Sequence, residues 1–205
     1  EKLNPDQRMM RILGSLQKLL QLKEMPLHIE CFDNSNLSGS NAVAACVVFR
    51  KAKPCKKEYR RFTIKTVDGV DDYASMKEVV RRRYLRMQEE NTSFPNLIIA
   101  DGGVGQMEAI RQIVEDELHL NIPIAGLVKN DKHRTNELLF GFPPQSIGLK
   151  VTDDTFKFLA QVQDEVHRFA IAFHRKKRSK SQIKSELDEV KGIGEQSKNL
   201  LIKHF

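Results

Sequence analysis

The residues best placed to do chemistry in this sequence are aspartates that end apolar runs. Asp101 follows Leu97-Ile98-Ile99-Ala100 and opens the hexapeptide Asp101-Gly102-Gly103-Val104-Gly105-Gln106, ahead of a helix-like stretch from Met107 to Val114. Chemistry in α/β folds sits at the carboxyl ends of strands, where glycines let a backbone or a phosphate come close. The glycine spacing misses G-x-G-x-x-G and the Walker lysine is absent, so a nucleotide cradle is a weak reading. A structural turn with an N-cap Asp explains the hexapeptide alone equally well. Asp33 ends an earlier run, in which Ile29, Cys31 and Asp33 share one face and Glu30 and Phe32 the other. If the two strands are neighbours, both carboxylates converge at one sheet edge. With no Lys or Arg adjacent in sequence, they would repel each other unless a cation lies between them. Hard oxygen ligands select Mg²⁺ or Mn²⁺. Such an ion stabilises the oxygens of an in-line phosphodiester displacement and activates the attacking water.

A third group is expected from the segment Asp164-Glu165-Val166-His167-Arg168-Phe169-Ala170. At 100° per residue, His167 lies about 60° from Ala170, on the margin of a stripe formed by Val162, Val166, Phe169, Ala170 and Phe173. That position suits a group leaning over a site beside the core, as a third ligand or as a general acid–base. A lone helix histidine is more often a surface or packing residue, and Asp164 is the next candidate. Asp71-Asp72, before Tyr73, reads first as a helix N-cap pair.

The elements that must position these groups follow from periodicity. Residues 6–23 carry Met9, Ile12, Leu16, Leu19 and Leu20 at helical spacing, a lead-in helix stopped by Pro26. Strand-like runs at 27–33, 42–49 and 59–65 have short connections, which predicts an antiparallel meander. A helix over 73–88, a strand over 97–101, a helix over about 104–118 and a β run over 123–128 come next. Residues 131–149 read as irregular, with Gly141, Pro143, Pro144 and Gly148 as breakers. A helix from Asp153 to about Arg175 closes the domain. The order predicts an α/β fold with a mixed sheet, three antiparallel strands and then β/α units, as in ribonuclease H. Residues 1–25 are thus a lead-in helix and 26–175 the main domain. Residues 176–185 read as a basic linker, and 186–205 as a small helical tail. In that tail Gly192-Ile193-Gly194 lies between two helical stretches, a helix-hairpin-helix pattern in which Gly192 and Gly194 let backbone N–H groups meet a DNA phosphate. A helix C-cap is the plainer explanation of the same glycines.

Composition sets the frame. The 205 residues carry a net charge of +7, with 40% hydrophobic and 30% charged residues, and the longest apolar run, Ala42 to Phe49, is eight residues. That excludes a membrane span, and the first residues lack signal-peptide character. Cys31, Cys46 and Cys55 show no C-x-x-C spacing, which suits buried thiols in a reducing cytoplasm and argues against zinc. Basic residues cluster at 56–61, at Arg81-Arg82-Arg83 and at Arg175-Lys176-Lys177-Arg178-Ser179-Lys180. Each could be a solvated face; three together point to nucleic acid.

Five ordered segments then carry a family resemblance. They are Glu30-Cys31-Phe32-Asp33, Asp71-Asp72-Tyr73-Ala74-Ser75-Met76, the hexapeptide at 101–106, His133-Arg134-Thr135 and the segment at 164–170. Together they resemble the carboxyl-terminal half of UvrC, the incision subunit of bacterial nucleotide excision repair. The resemblance implies a ribonuclease H-like endonuclease followed by tandem helix-hairpin-helix motifs. It implies an incision on the 5′ side of a lesion in double-stranded DNA, with UvrB as partner and UvrA acting upstream, and no small-molecule substrate. It further implies that Asp33, Asp101 and His167 form a metal-binding catalytic set and that Asp72 has a functional role. Backbone contacts are expected from Arg81, Arg82, Arg83, Arg175, Lys176, Lys177 and Arg178. The family's amino-terminal nuclease domain and UvrB-contacting segment are expected to be missing, with only the first helix-hairpin-helix present. Val104 stands where the family usually has Lys, and Asn34-Ser35-Asn36 where Ile-Ser-His is frequent; neither departure touches a proposed ligand. The rival readings are a non-catalytic DNA-binding scaffold and a recombinase-type nuclease.

Overall fold

The computed structural model describes residues 3–35, 42–189 and 194–204. Among them, one mixed sheet contains β1 His28–Ser35, β2 Val43–Arg50, β3 Lys53–Pro54, β4 Arg60–Thr63, β5 Leu97–Asp101, β6 Ile124–Lys129, β7 Thr135–Phe140 and β8 Gln145–Ile147. The helices are α1 Pro5–Leu19, α2 Asp72–Glu89, α3 Val104–Arg111, α4 Asp154–Glu189 and α5 Glu195–His204. Strand order is β3-β2-β1-β5-β6-β7-β8, with β4 also paired to β2. β1, β5 and β6 are mutually parallel, while β2, β3, β4, β7 and β8 pair antiparallel with their neighbours. The expected mixed sheet is therefore present.

The central strands are apolar on both faces because helices cover both. α2 packs against β1 and against α3 on one face, while α4 crosses β1 and β2 on the other and is backed by α1. The alternation along β1 divides accordingly. Phe32 meets Tyr84 of α2, and Phe49, paired with Ile29, meets Phe158 of α4. Each such buried side chain contributes roughly 1.5–3 kcal/mol, which keeps the strand ends at a fixed height for the groups they carry. Cys31 and Cys46 are buried free thiols, and Cys55 is half-buried. No described helix is long and apolar enough to cross a membrane.

Three expectations are corrected. The stretch 131–149 is a hairpin rather than irregular. Its strand β7 is half polar, Thr135-Asn136-Glu137 preceding Leu138-Leu139-Phe140, so it offered only a short apolar run; Gly141, at φ +86°, belongs to the turn before β8. The basic stretch 176–185 is helical, since α4 runs for 36 residues to Glu189. Charge suggested a linker, but residues 154–189 contain no Gly or Pro, and Lys, Arg, Gln, Glu and Leu all favour helix. α1 ends at Leu19, capped at Leu20 with Gln21 at φ +53°, well before Pro26.

Candidate metal centre

The sheet register brings the two aspartates together. β1 and β5 run parallel with Phe32 opposite Ala100, so the next residues, Asp33 and Asp101, stand side by side on the α4 face. α4 crosses this edge and sets His167 Nδ1 3.2 Å from Asp33 Oδ2. One ligand atom from each of Asp33, Asp101 and His167 lies within 4.8 Å of the others. The aspartate side chains are nearly buried, 9% and 8% exposed, while the imidazole is 50% exposed. The centre is thus a sunken acidic pair with one open side, roofed by a histidine.

Two residues that sequence reading missed complete it. Lys129, at the end of β6, places Nζ 3.2 Å from Asp101 Oδ2. Gln163, fully buried one helical turn before His167, donates from Nε2 to Asp101 Oδ1 at 2.7 Å and to the Leu127 carbonyl at 2.8 Å. Thr135 Oγ donates to the Gln163 amide oxygen, which ties β7 to the site. Gln163 was findable from its i−4 spacing to His167. The lysine was not, because it reaches Asp101 only through the β5–β6 pairing.

Burial and the charge of Asp33 push the Asp101 carboxyl above its ordinary range, against the opposing pull of Lys129 and Gln163. The hydrogen bond to Asp33 raises the His167 imidazole, against partial burial. Cys31, one step back on the same face, is pushed well up by burial and by both aspartates, so it lies beneath the site as a neutral thiol. A divalent ion fits this donor set. Two converging carboxylates and an imidazole offer hard and borderline ligands, and the two carboxylates face a single lysine cation, Lys129.

The other candidate residues are dispersed. Asp71 is the N-cap of α2, accepting from Ala74 N at 2.9 Å, and Asp72 lies in the first turn with its carbonyl accepting from Asn34 Nδ2. Asp72 and the exposed Asp164 are outside the three-residue cluster. Asp101 caps nothing, since the N-cap of α3 is Gly103. Arg83 is corrected: it turns inward and makes two hydrogen bonds to buried Glu30, at 3.1 and 2.7 Å. Arg81 is paired with Glu117, and Arg82 with Glu78. Arg175 and Lys176 are exposed on α4; the side chains of Lys177 and Arg178, and Gly192, lie outside the described residues. Gly194 precedes α5 and accepts the Lys198 N–H. A tight glycine supports the site: a Cβ at Gly126 would lie 2.7 Å from the Gly102 carbonyl, so only glycine lets β6 pass so close to the turn after Asp101.

Residues 17–171 match the family model described as the UvrC RNase H endonuclease domain. The whole chain aligns with UvrABC system protein C of Bacteroides thetaiotaomicron at 67% identity, and 94% of it with that of Streptococcus equi subsp. zooepidemicus at 54%. It spans about a third of the length of these relatives (34% and 33%). Among solved structures, the catalytic domain of human endonuclease V is 14% identical, with a TM-score of 0.42 over 84% of this chain and 96% of that one. With a family model covering most of its length and high identity to these relatives from end to end, the chain belongs to the UvrC family and contains its RNase H endonuclease domain.

Proposed function

We propose that this chain is a divalent-metal-dependent endodeoxyribonuclease domain that makes the 5′ incision beside a lesion in bacterial nucleotide excision repair. The observation that carries the reading is the convergence of Asp33, Asp101 and His167 within 4.8 Å at the carboxyl ends of two parallel strands. Asp33, Asp101 and His167 would hold Mg²⁺ or Mn²⁺. When bound, such an ion supplies Lewis-acid stabilisation of phosphoryl oxygens and lowers the pKa of water. The chain's own residues do the rest. Gln163 and Lys129 fix the orientation of the Asp101 carboxylate, and Asp33 orients the imidazole. In place of ligating the ion, the half-exposed His167 can take up a proton at the open side of the site as a general base.

The 5′ side, the damaged duplex, the UvrB partnership downstream of UvrA and a cytoplasmic setting rest on the family resemblance. The cations of α4 from Arg175 to Arg178 and the tail glycines Gly192 and Gly194 are the proposed backbone contacts. Arg81 and Arg82 are weaker ones, being already neutralised by glutamates. A non-catalytic scaffold is the rival, but it would have no use for two nearly buried, mutually repelling carboxylates. The test is nicking of a duplex carrying one bulky adduct, with Mn²⁺ or with EDTA. Mn²⁺-dependent cleavage lost in Asp101→Asn is expected; equal cleavage by wild type and variant overturns the reading.

A further inference from the structure

Arg61 of β4 lies opposite Ala45 of β2, and Ala45 lies opposite Asp33 of β1, so the three share one row across the sheet. All face α4. Two strand spacings of about 4.8 Å put the Arg61 backbone roughly 10 Å from that of Asp33. The Arg61 guanidinium carbon sits 4.4 Å from the centroid of the Phe169 ring and 5.5 Å from that of Phe173. Phe169 is itself braced edge-on by Tyr59 at 5.1 Å. The side chain is therefore held in place by rings, although the residue is exposed.

Its charge is not neutralised in the way that of several other arginines is. Glu165, which the Tyr59 hydroxyl ties to this packing, is engaged by Arg168. Arg50 pairs with Glu58, Arg81 with Glu117, Arg86 with Glu90 and Arg111 with Glu108. Arg61 has no carboxylate partner among the described residues. Stacked aromatic contacts engage a guanidinium through its face and leave its in-plane N–H donors for an anion.

We propose that Arg61 is a positioning residue that grips a backbone phosphate of the DNA strand lying across the metal centre. Phe169 and Phe173 hold its donors ready on the β4 side of Asp33. The inference rests on the reading of the chain as a DNA nuclease for the identity of the polyanion. Its alternative is that Arg61 only packs β4 onto α4.

The test is anisotropy of a labelled duplex in metal-free buffer over a KCl series, with a melting temperature for each variant. Arg61→Met keeps the stem and removes the charge. It should weaken binding and lower the slope of log K against log salt by about one, a change of about fourfold in relative affinity over a fourfold rise in salt. Arg61→Lys should restore the slope with weaker binding. Phe173→Leu, which removes one brace but no charge, should weaken binding at an unchanged slope. Arg86→Met, on the helix covering the opposite face, should match wild type. A wild-type slope in Arg61→Met overturns the inference, whatever its melting temperature. Nicking by wild type separates the two readings. A wild type that nicks while Arg61→Met keeps the slope overturns the phosphate grip alone. A wild type that binds with the expected Arg61 dependence yet never nicks overturns the nuclease reading alone, and one that binds no duplex overturns both.

Discussion

Burial and the neighbouring Asp33 charge make Asp101 harder to ionise in the folded protein than in the unfolded chain. A carboxyl with a raised folded pKa lowers stability as pH climbs from its unfolded value, about 3.9, through the folded one, and the penalty stays in full above that. Asp101→Asn should therefore melt no lower, and at neutral pH higher, than wild type in metal-free buffer. Wild type should melt higher with added Mn²⁺ and Asp101→Asn should not, a pair of readings from one thermal-shift series. His167 has the opposite sign. Its raised pKa makes the contact with Asp33 stabilising below the unfolded value, about 6.5, and that contribution disappears as pH rises through the folded value. In an NMR titration without metal, His167 should titrate above 6.5 in wild type and fall back towards that value in Asp33→Asn. These residues were legible because each ends an apolar run or flanks an apolar stripe. Arg83 was misread although its signal was available: Met76, Val79, Val80, Arg83, Tyr84 and Met87 make one buried stripe of α2. The run of three arginines hid that periodicity.

At the scale of elements, the turn between β5 and α3 depends on what β6 allows. At Gly126 an added Cβ meets a backbone carbonyl and the Met107 side chain at 2.7 Å, and the carbonyl cannot swing aside. Gly126→Ala should lower stability by about 1–3 kcal/mol, as other overpacked sites do, and should reduce cleavage by shifting Asp101. Denaturant unfolding and a nicking assay check the two effects. The parallel core strands β5 and β6 were readable as continuous apolar runs. β7 and β8 were not, because strands in the outer, partly wet part of the sheet carry polar residues that look like loop. The same limit applied at 176–185, where high charge suggested a linker although every residue there is compatible with helix.

Across the whole molecule, β1 serves both faces of the sheet, with Asp33 towards α4 and Glu30 towards α2. Glu30 is fully buried, accepting from Arg83 and from the Tyr84 hydroxyl at 3.1 Å, with His28 Nε2 at 2.9 Å. Burial would raise its carboxyl, but the hydrogen bonds with His28 and Arg83 win and hold it below its ordinary value. Its contribution is thus present above the unfolded pKa, about 4.3, and lost as pH falls through the folded one. Glu30→Gln should cost about 3–5 kcal/mol in urea unfolding by leaving Arg83 buried without a counter-charge. Glu30→Leu combined with Arg83→Met should recover most of that loss. α4 links this core to the tail at a larger scale. From His167 to Glu189 it rises about 33 Å at 1.5 Å per residue without a Gly or Pro to break it. Such a rod has a phase as well as a length. Two added residues would lengthen it by only about 3 Å yet swing everything beyond by about 200°, so the bearing of the tail from the Asp33–Asp101–His167 cluster is written in a residue count.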